Sequence, residues 1–254
     1  MGLTLLFYFV MAQILVAVMR LVDRRFQPGR KKEEGGMNFF DWQYTREIFP
    51  LMMQASIKTI YITLIGYVIA LVLGLFLAMA RRSAYRWLAF PATGVIEFIR
   101  STPLLIQVYF IFYVLPNYGL NISATQAGII GIGLHYACYT AEVYRSGFNG
   151  IPTGQWEAIK ALNIPGRAAY LDIIFPQVIR PVVPALGNYF IAMFKDTPVL
   201  SAITVVEIMQ EAKNIGSENF RYLEPITLVG CFFLTISIVL AILFNKIEKK
   251  VALP

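Results

Sequence analysis

Three groups of ionisable residues sit in otherwise apolar sequence. Glu97 and Arg100 are three residues apart, Glu142 and Arg145 repeat that spacing, and Lys195 directly precedes Asp196. On a helix, an i, i+3 spacing brings two side chains together, and charges within apolar helices are ordinarily paired. The chemistry this predicts is electrostatic: neutralised pairs that orient helices. Lys195 and Asp196 point in different directions, so each needs a partner from elsewhere. Covalent chemistry is not indicated. The single His135 and the two cysteines, Cys138 and Cys231, all lie in apolar runs. They form no metal-ligand or disulfide framework, and His135 reads as a packed polar side chain. No Gly-rich Lys-Ser/Thr loop that could cradle a phosphate is present.

The elements that position these groups must lie in a bilayer. Of 254 residues, 57% are hydrophobic and 15% charged, against ~25% charged in a soluble domain. The fold class is therefore an all-α polytopic membrane protein. The net charge of +7 comes from basic residues that flank apolar runs, as at a cytoplasmic membrane edge. No nucleic-acid partner is implied.

Five runs reach the ~20 apolar residues that a membrane helix needs: about 55–80, 88–115, 123–146, 176–205 and 225–245. Pro116-Asn117-Tyr118-Gly119 makes the turn between the second and third. Basic residues fill alternate loops: Arg81, Arg82 and Arg86; then Arg145, Lys160 and Arg167; then Lys246, Lys249 and Lys250. The positive-inside rule puts these loops and the C-terminus in the cytoplasm, and the start of the core outside.

Residues 1–36 break this pattern. They hold an extra apolar helix and a basic linker, and the cluster from Arg20 to Lys32 leaves one crossing missing. Leu21-Val22-Asp23-Arg24-Arg25 matches the tail Lys246-Ile247-Glu248-Lys249-Lys250 in character. Two readings follow: 1–36 is a signal-anchor-like helix with a basic flank outside, or, the favoured expectation, it is the tail of a sister subunit and Met37 is a true start; 37–254 is the transport domain in either case.

Between the third and fourth runs lies a polar stretch with the pattern of a helix–turn–helix, about 153–174. Thr153 is expected to cap the first helix. Asn163 takes the left-handed position that ends it, and Pro165 opens the next. Trp156, Ile159 and Leu162 are spaced to share a face, with Glu157 and Lys160 on its flanks. A loop that only joined two spans would not need this order, so the stretch is read as a part gripped from outside the membrane.

The chain resembles the permease subunits of ATP-binding-cassette importers, of the polar amino acid (histidine/glutamine) type. The resemblance rests on Arg100-Ser101-Thr102-Pro103-Leu104, Tyr139-Thr140-Ala141-Glu142-Val143-Tyr144-Arg145, Gly154-Gln155, Glu157-Ala158-Ile159 followed by Asn163 in the place of a Gly, Ile174-Phe175-Pro176-Gln177, and Lys195-Asp196-Thr197, in order over about 54–250. It implies the type I importer permease fold: five core spans, here with the extra N-terminal helix. It implies no cofactor and no catalysis on this chain. Expected partners are a dimer of cytoplasmic ATPases, a second permease subunit, identical or sister, an extracytoplasmic substrate-binding protein, and the lipid of a bacterial inner membrane.

The resemblance also implies roles. Gly154, Gln155, Trp156, Glu157, Ala158, Ile159, Ala161, Leu162 and Asn163 would dock the ATPase, which should have room opposite the bulky Ile159. Gln107, Tyr109, His135, Tyr139, Asn188 and Tyr189 are candidates to line the substrate pathway. Asn188 stands out, because an amide at depth is costly without a partner. The expected substrate is a polar amino acid. The segments from Gly133 to Arg145 and from Phe220 to Pro225 resemble ectoine and hydroxyectoine permeases, which makes those solutes the alternative. An ion-coupled secondary transporter would show internal repeats and interrupted helices.

Overall fold

The apolar runs fold as helices because a chain in lipid must satisfy its backbone polar groups within itself. In the computed structural model, residues 40–252 are described, and side chains to Lys250. The features expected of residues 1–36 lie outside the described residues. The helices are α1 (Trp42–Arg81), α2 (Arg86–Arg100), α3 (Leu104–Tyr109), α4 (Ala124–Asn149), α5 (Thr153–Ala161), α6 (Phe175–Asp196), α7 (Ile208–Asn219) and α8 (Leu223–Ala252). No strand occurs among the described residues. Three helical stretches are long and apolar enough to cross a membrane: Trp42–Arg81, Gly166–Ile203 and Leu223–Lys250. The 26-residue α4 has the length, but Gln126, His135 and several tyrosines make it less apolar. Three of its polar groups face protein: His135, Tyr136 and Thr140 are all buried.

The second expected span is broken. α2 and the helix from Leu104 to Tyr118 meet at 106°. Pro103, extended at φ −63°, ψ 139°, begins the second piece. Gln107 holds the break from within. Its amide nitrogen donates to the Ile99 carbonyl (2.7 Å) and to the carbonyl (3.0 Å) and hydroxyl (2.8 Å) of Thr102. Its amide oxygen meets His135 Nδ1 at 3.0 Å.

Small residues bring α1 and α4 together, as is usual where helices associate in lipid. Thr63, Gly66, Ala70, Gly74 and Ala78 are buried along α1. Thr140 of α4 donates to the Ala70 carbonyl at 2.7 Å. A Cβ on Gly74 would lie 2.0 Å from Thr140 Oγ1 and 2.8 Å from the Ala137 carbonyl, so only glycine fits.

At the end opposite Arg81, α7 packs Ile208, Ala212 and Ile215 on Ile48, Met52 and Ala55 of α1. Asp41 caps α1 by accepting from the backbone of Gln43 and Tyr44. These bonds, led by that from Tyr44, hold its carboxyl below the ordinary value. Arg221 bridges Asp41 (3.3 Å) and Glu224 and lies 4.4 Å over the Tyr44 ring. The starts of α1 and α8 are thus tied. Glu207, fully buried, caps α7 by accepting from Met209 (2.9 Å) and Gln210 (2.8 Å). Burial outweighs those donors and pushes its carboxyl up to about 7.

Candidate functional site

The polar insert is the short helix α5, joined to α6 by a tight turn. Pro152, not Thr153, holds the N-cap position, and no side chain caps there. Thr153 lies one residue inside, where its hydroxyl cannot replace the cap. Asn163 is left-handed, φ 50°. Asn163 N–H donates to the Lys160 carbonyl (3.1 Å) and Ile164 N–H to the Ile159 carbonyl (3.0 Å), the paired bonds of a Schellman turn. Pro165 sits just before the next helical turn, Gly166–Ala168, rather than in it. That turn continues through a π-helical stretch, Ala169–Ile174, into α6. The second expected helix is therefore the start of the fourth span.

Trp156, Ile159 and Leu162 do not share one docking face. Ile159 is only 9% exposed and packs with Phe148, Ile151 and Ile174. Leu162 is 72% exposed, and Trp156 is half-buried with its ring edge on Tyr170, centroids 5.8 Å apart. Residues three apart drift about 60° per step around a 3.6-residue helix, so one of the three can be central to the core and its neighbours cannot. The free face is Gly154, Glu157, Ala158 and Ala161, spaced i, i+3, i+4, i+7, with Gln155, Leu162 and Asn163 also exposed. Ile159 is thus an anchor of α5 on its own chain and not the exposed bulky docking residue that the sequence predicts; the exposed face carries Gly154, Ala158 and Ala161 beside Glu157.

The in-membrane charges pair differently from their spacing. Glu97 takes Arg81 of α1 as its partner, at 3.1 Å, and not Arg100. Arg81 also binds Glu142 of α4, and Arg145 binds Glu142 at 2.7 Å. One guanidinium therefore joins three helices. Arg100 is left over the ring of Tyr139, 5.4 Å from its centroid. Asp196 accepts from the Tyr136 hydroxyl at 2.7 Å. Among the described residues neither Arg100, Asp196 nor Lys195 is in an ion pair; Lys195 is exposed.

Two clefts open between the helices. One, about 480 Å³, runs between α4 and α6 and is lined by Glu142, Ser146, Gln177, Pro181 and Tyr189 among others. The other, about 510 Å³, lies at the α2–α3 break, with Arg100, Thr102, His135, Tyr139 and Asp196 on its walls. Three of the expected pathway residues, His135, Tyr139 and Tyr189, therefore line clefts. Three do not. Gln107 is spent on the helix break. Tyr109 is exposed beside Tyr113, centroids 5.6 Å apart. Asn188 is exposed on α6 and lines neither cleft. Sequence reasoning missed Arg100 as a cleft residue because Glu97, three residues before it, made it look paired, and missed Asp196 because its expected partner lay elsewhere in the assembly.

Apolar helices around polar clefts, with a short helix between two spans that keeps one face exposed, are the features of a solute-transport subunit. The chain belongs to the family of binding-protein-dependent transport system inner membrane components, whose pattern matches residues 70–253. It is 41% identical over 201 residues to a protein of Sinorhizobium fredii (strain NBRC 101917 / NGR234) described as a probable amino-acid ABC transporter permease, y4tG, covering 79% of this chain and 87% of that one. It is 33% identical over 194 residues to the probable glutamine ABC transporter permease GlnM of Bacillus subtilis (strain 168), covering 75% and 90%. Among solved structures it is similar to a chain of an amino acid ABC transporter crystallised with histidines, with TM-score 0.78 and 31% identity over 83% of this chain and 99% of that one. The MetNI methionine transporter, at 19% identity and TM-score 0.66, shares the fold. As in the family, the chain is a transporter subunit and not an enzyme.

Proposed function

We propose that this chain forms the pathway of an ATP-driven, binding-protein-dependent importer of polar amino acids. The observation that carries this is the second cleft, where Arg100 and Asp196, neither in an ion pair among the described residues, open onto one space. A free amino acid presents a carboxylate and an ammonium together. Arg100 takes the carboxylate through its planar fork, Asp196 takes the ammonium, and Tyr139 and His135 flank the body. Relatives described as glutamine, arginine and L-cystine transport permeases support this substrate class.

The basic ends of the helices face the cytoplasm, and the core begins outside. ATPases there grip the exposed face of α5. Their closure moves α5 as a lever, because Ile159 seats it on α4 and α6, and access alternates by rigid-body motion. A second permease subunit completes the pathway, and an extracytoplasmic binding protein delivers the substrate.

The test is uptake by proteoliposomes holding the whole complex, with labelled L-glutamine, L-arginine and L-cystine, and ectoine as competitor. Arg100→Ala and Asp196→Asn should each cut ATP-driven uptake about tenfold or more, as expected for one lost charge-assisted contact. Full uptake by both variants would remove the cleft from the pathway. Uptake of ectoine in preference to all three amino acids would reassign the substrate.

A further inference from the structure

Resting on that reading, we propose that the rings of Tyr139 and Tyr189 are the gate between the two halves of the pathway. Tyr139 lines one cleft and Tyr189 the other. Their ring centroids are 5.6 Å apart, with the planes inclined by 44°. Behind them stands Tyr136, 6.0 Å from Tyr139 and 6.3 Å from Tyr189, and His135 lies 5.1 Å from Tyr139. The four rings thus form one cluster that reaches both clefts, each large enough for an amino acid.

The two groups of tyrosines are held differently. Tyr136 is 4% exposed and its hydroxyl is tied to Asp196 at 2.7 Å. Tyr67 is tied by its hydroxyl to the Leu186 carbonyl, also at 2.7 Å. Tyr139 and Tyr189 are half-buried, and among the described residues neither hydroxyl makes a hydrogen bond. They also stand on different helices, α4 and α6, and no hydrogen bond among the described residues joins the two rings, so a relative tilt of these helices parts them. The backing ring is fixed and the facing rings are free, as a gate requires.

Arg100 adds a link to occupancy. It lies over the face of Tyr139, an attraction that depends on the guanidinium remaining uncommitted. A carboxylate that enters the cleft and binds Arg100 weakens its hold on the ring. The pair then separates more readily when substrate is present.

The experiment uses the intact transporter complex in proteoliposomes with trapped L-glutamine and no ATP. Tyr139→Ala with Tyr189→Ala should release the probe at least tenfold faster than the parent, and Tyr139→Phe with Tyr189→Phe should stay as tight as the parent. Equal release from the parent and the alanine pair overturns the gate, and so does fast release from the phenylalanine pair. A second measurement covers the case in which the alanine pair fails to assemble. Tyr139→Cys and Tyr189→Cys, in a background with Cys138→Ala and Cys231→Ala, are joined by a bridging methanethiosulfonate. Bridging should stop ATP-driven uptake, and reduction should restore it; uptake unchanged by bridging overturns the proposal. Release needs neither ATP nor a preferred substrate. A parent that imports none of the amino acids therefore counts against the importer reading, while release still judges the gate.

Discussion

One arginine carries more of the design than its position suggests. Arg81 ends α1 and holds Glu97 of α2 and Glu142 of α4. That is why Glu97 does not need Arg100, and why Arg100 is left for the cleft. Glu207 is the complementary case, a carboxyl buried where its cap donors do not fully compensate. Its value is raised from 4.5 to about 7. A raised carboxyl favours the folded state fully below 4.5, and that contribution is lost as the pH rises through about 7. The span is worth about 3 kcal/mol. The melting temperature of the purified protein should therefore fall from pH 5 to pH 8, and Glu207→Gln should flatten that slope. A slope unchanged in Glu207→Gln would assign the titration to another group.

At the scale of elements, the packing of α1 on α4 rests on missing side chains. Gly74→Ala forces a methyl against Thr140 and Ala137 and should cost about 1–3 kcal/mol, as overpacking does. Gly94→Ala, which meets nothing within 4 Å, should leave the melting point nearly unchanged. Thermal denaturation in detergent compares the two directly. The helices themselves were legible in the sequence because long apolar runs have few other solutions in lipid. The break at Ser101-Thr102-Pro103 was not legible from hydropathy, since no charge interrupts residues 101–141; Pro103 was the available signal. The turn at Asn163 was readable because its conformation is a local property of the chain. The burial of Ile159 depends on where Phe148 and Ile174 come to lie, and no local pattern holds that information. Asp196 and Arg100 escaped notice as cleft residues for the same reason: their partners, or lack of them, are decided between helices.

Across the whole molecule, α5 is bound firmly to its own chain and presents its other face outward. The two surfaces can be separated by mutation. Ile159→Ala should loosen the seat of α5 and lower stability by about 2–5 kcal/mol, as core truncations do. Glu157→Lys should leave folding and membrane insertion intact and abolish ATP-driven uptake, or release the ATPase on purification. Normal uptake by Glu157→Lys would mean that this face is not where force enters.

The π-helical stretch Ala169–Ile174 lies between α5 and the span bearing Tyr189. A π turn holds one residue more than an α turn, so it behaves like a dislocation in a crystal: an extra member taken up locally while both sides stay aligned. Deleting one residue elsewhere in a helix turns everything beyond it by about 100°. Deleting Leu171 here should instead anneal the defect into a regular helix, with α5 and Tyr189 still in their places. Equal deletions at Leu171 and at Ala185 compare the two outcomes: assembly with the ATPase should survive the first and fail with the second.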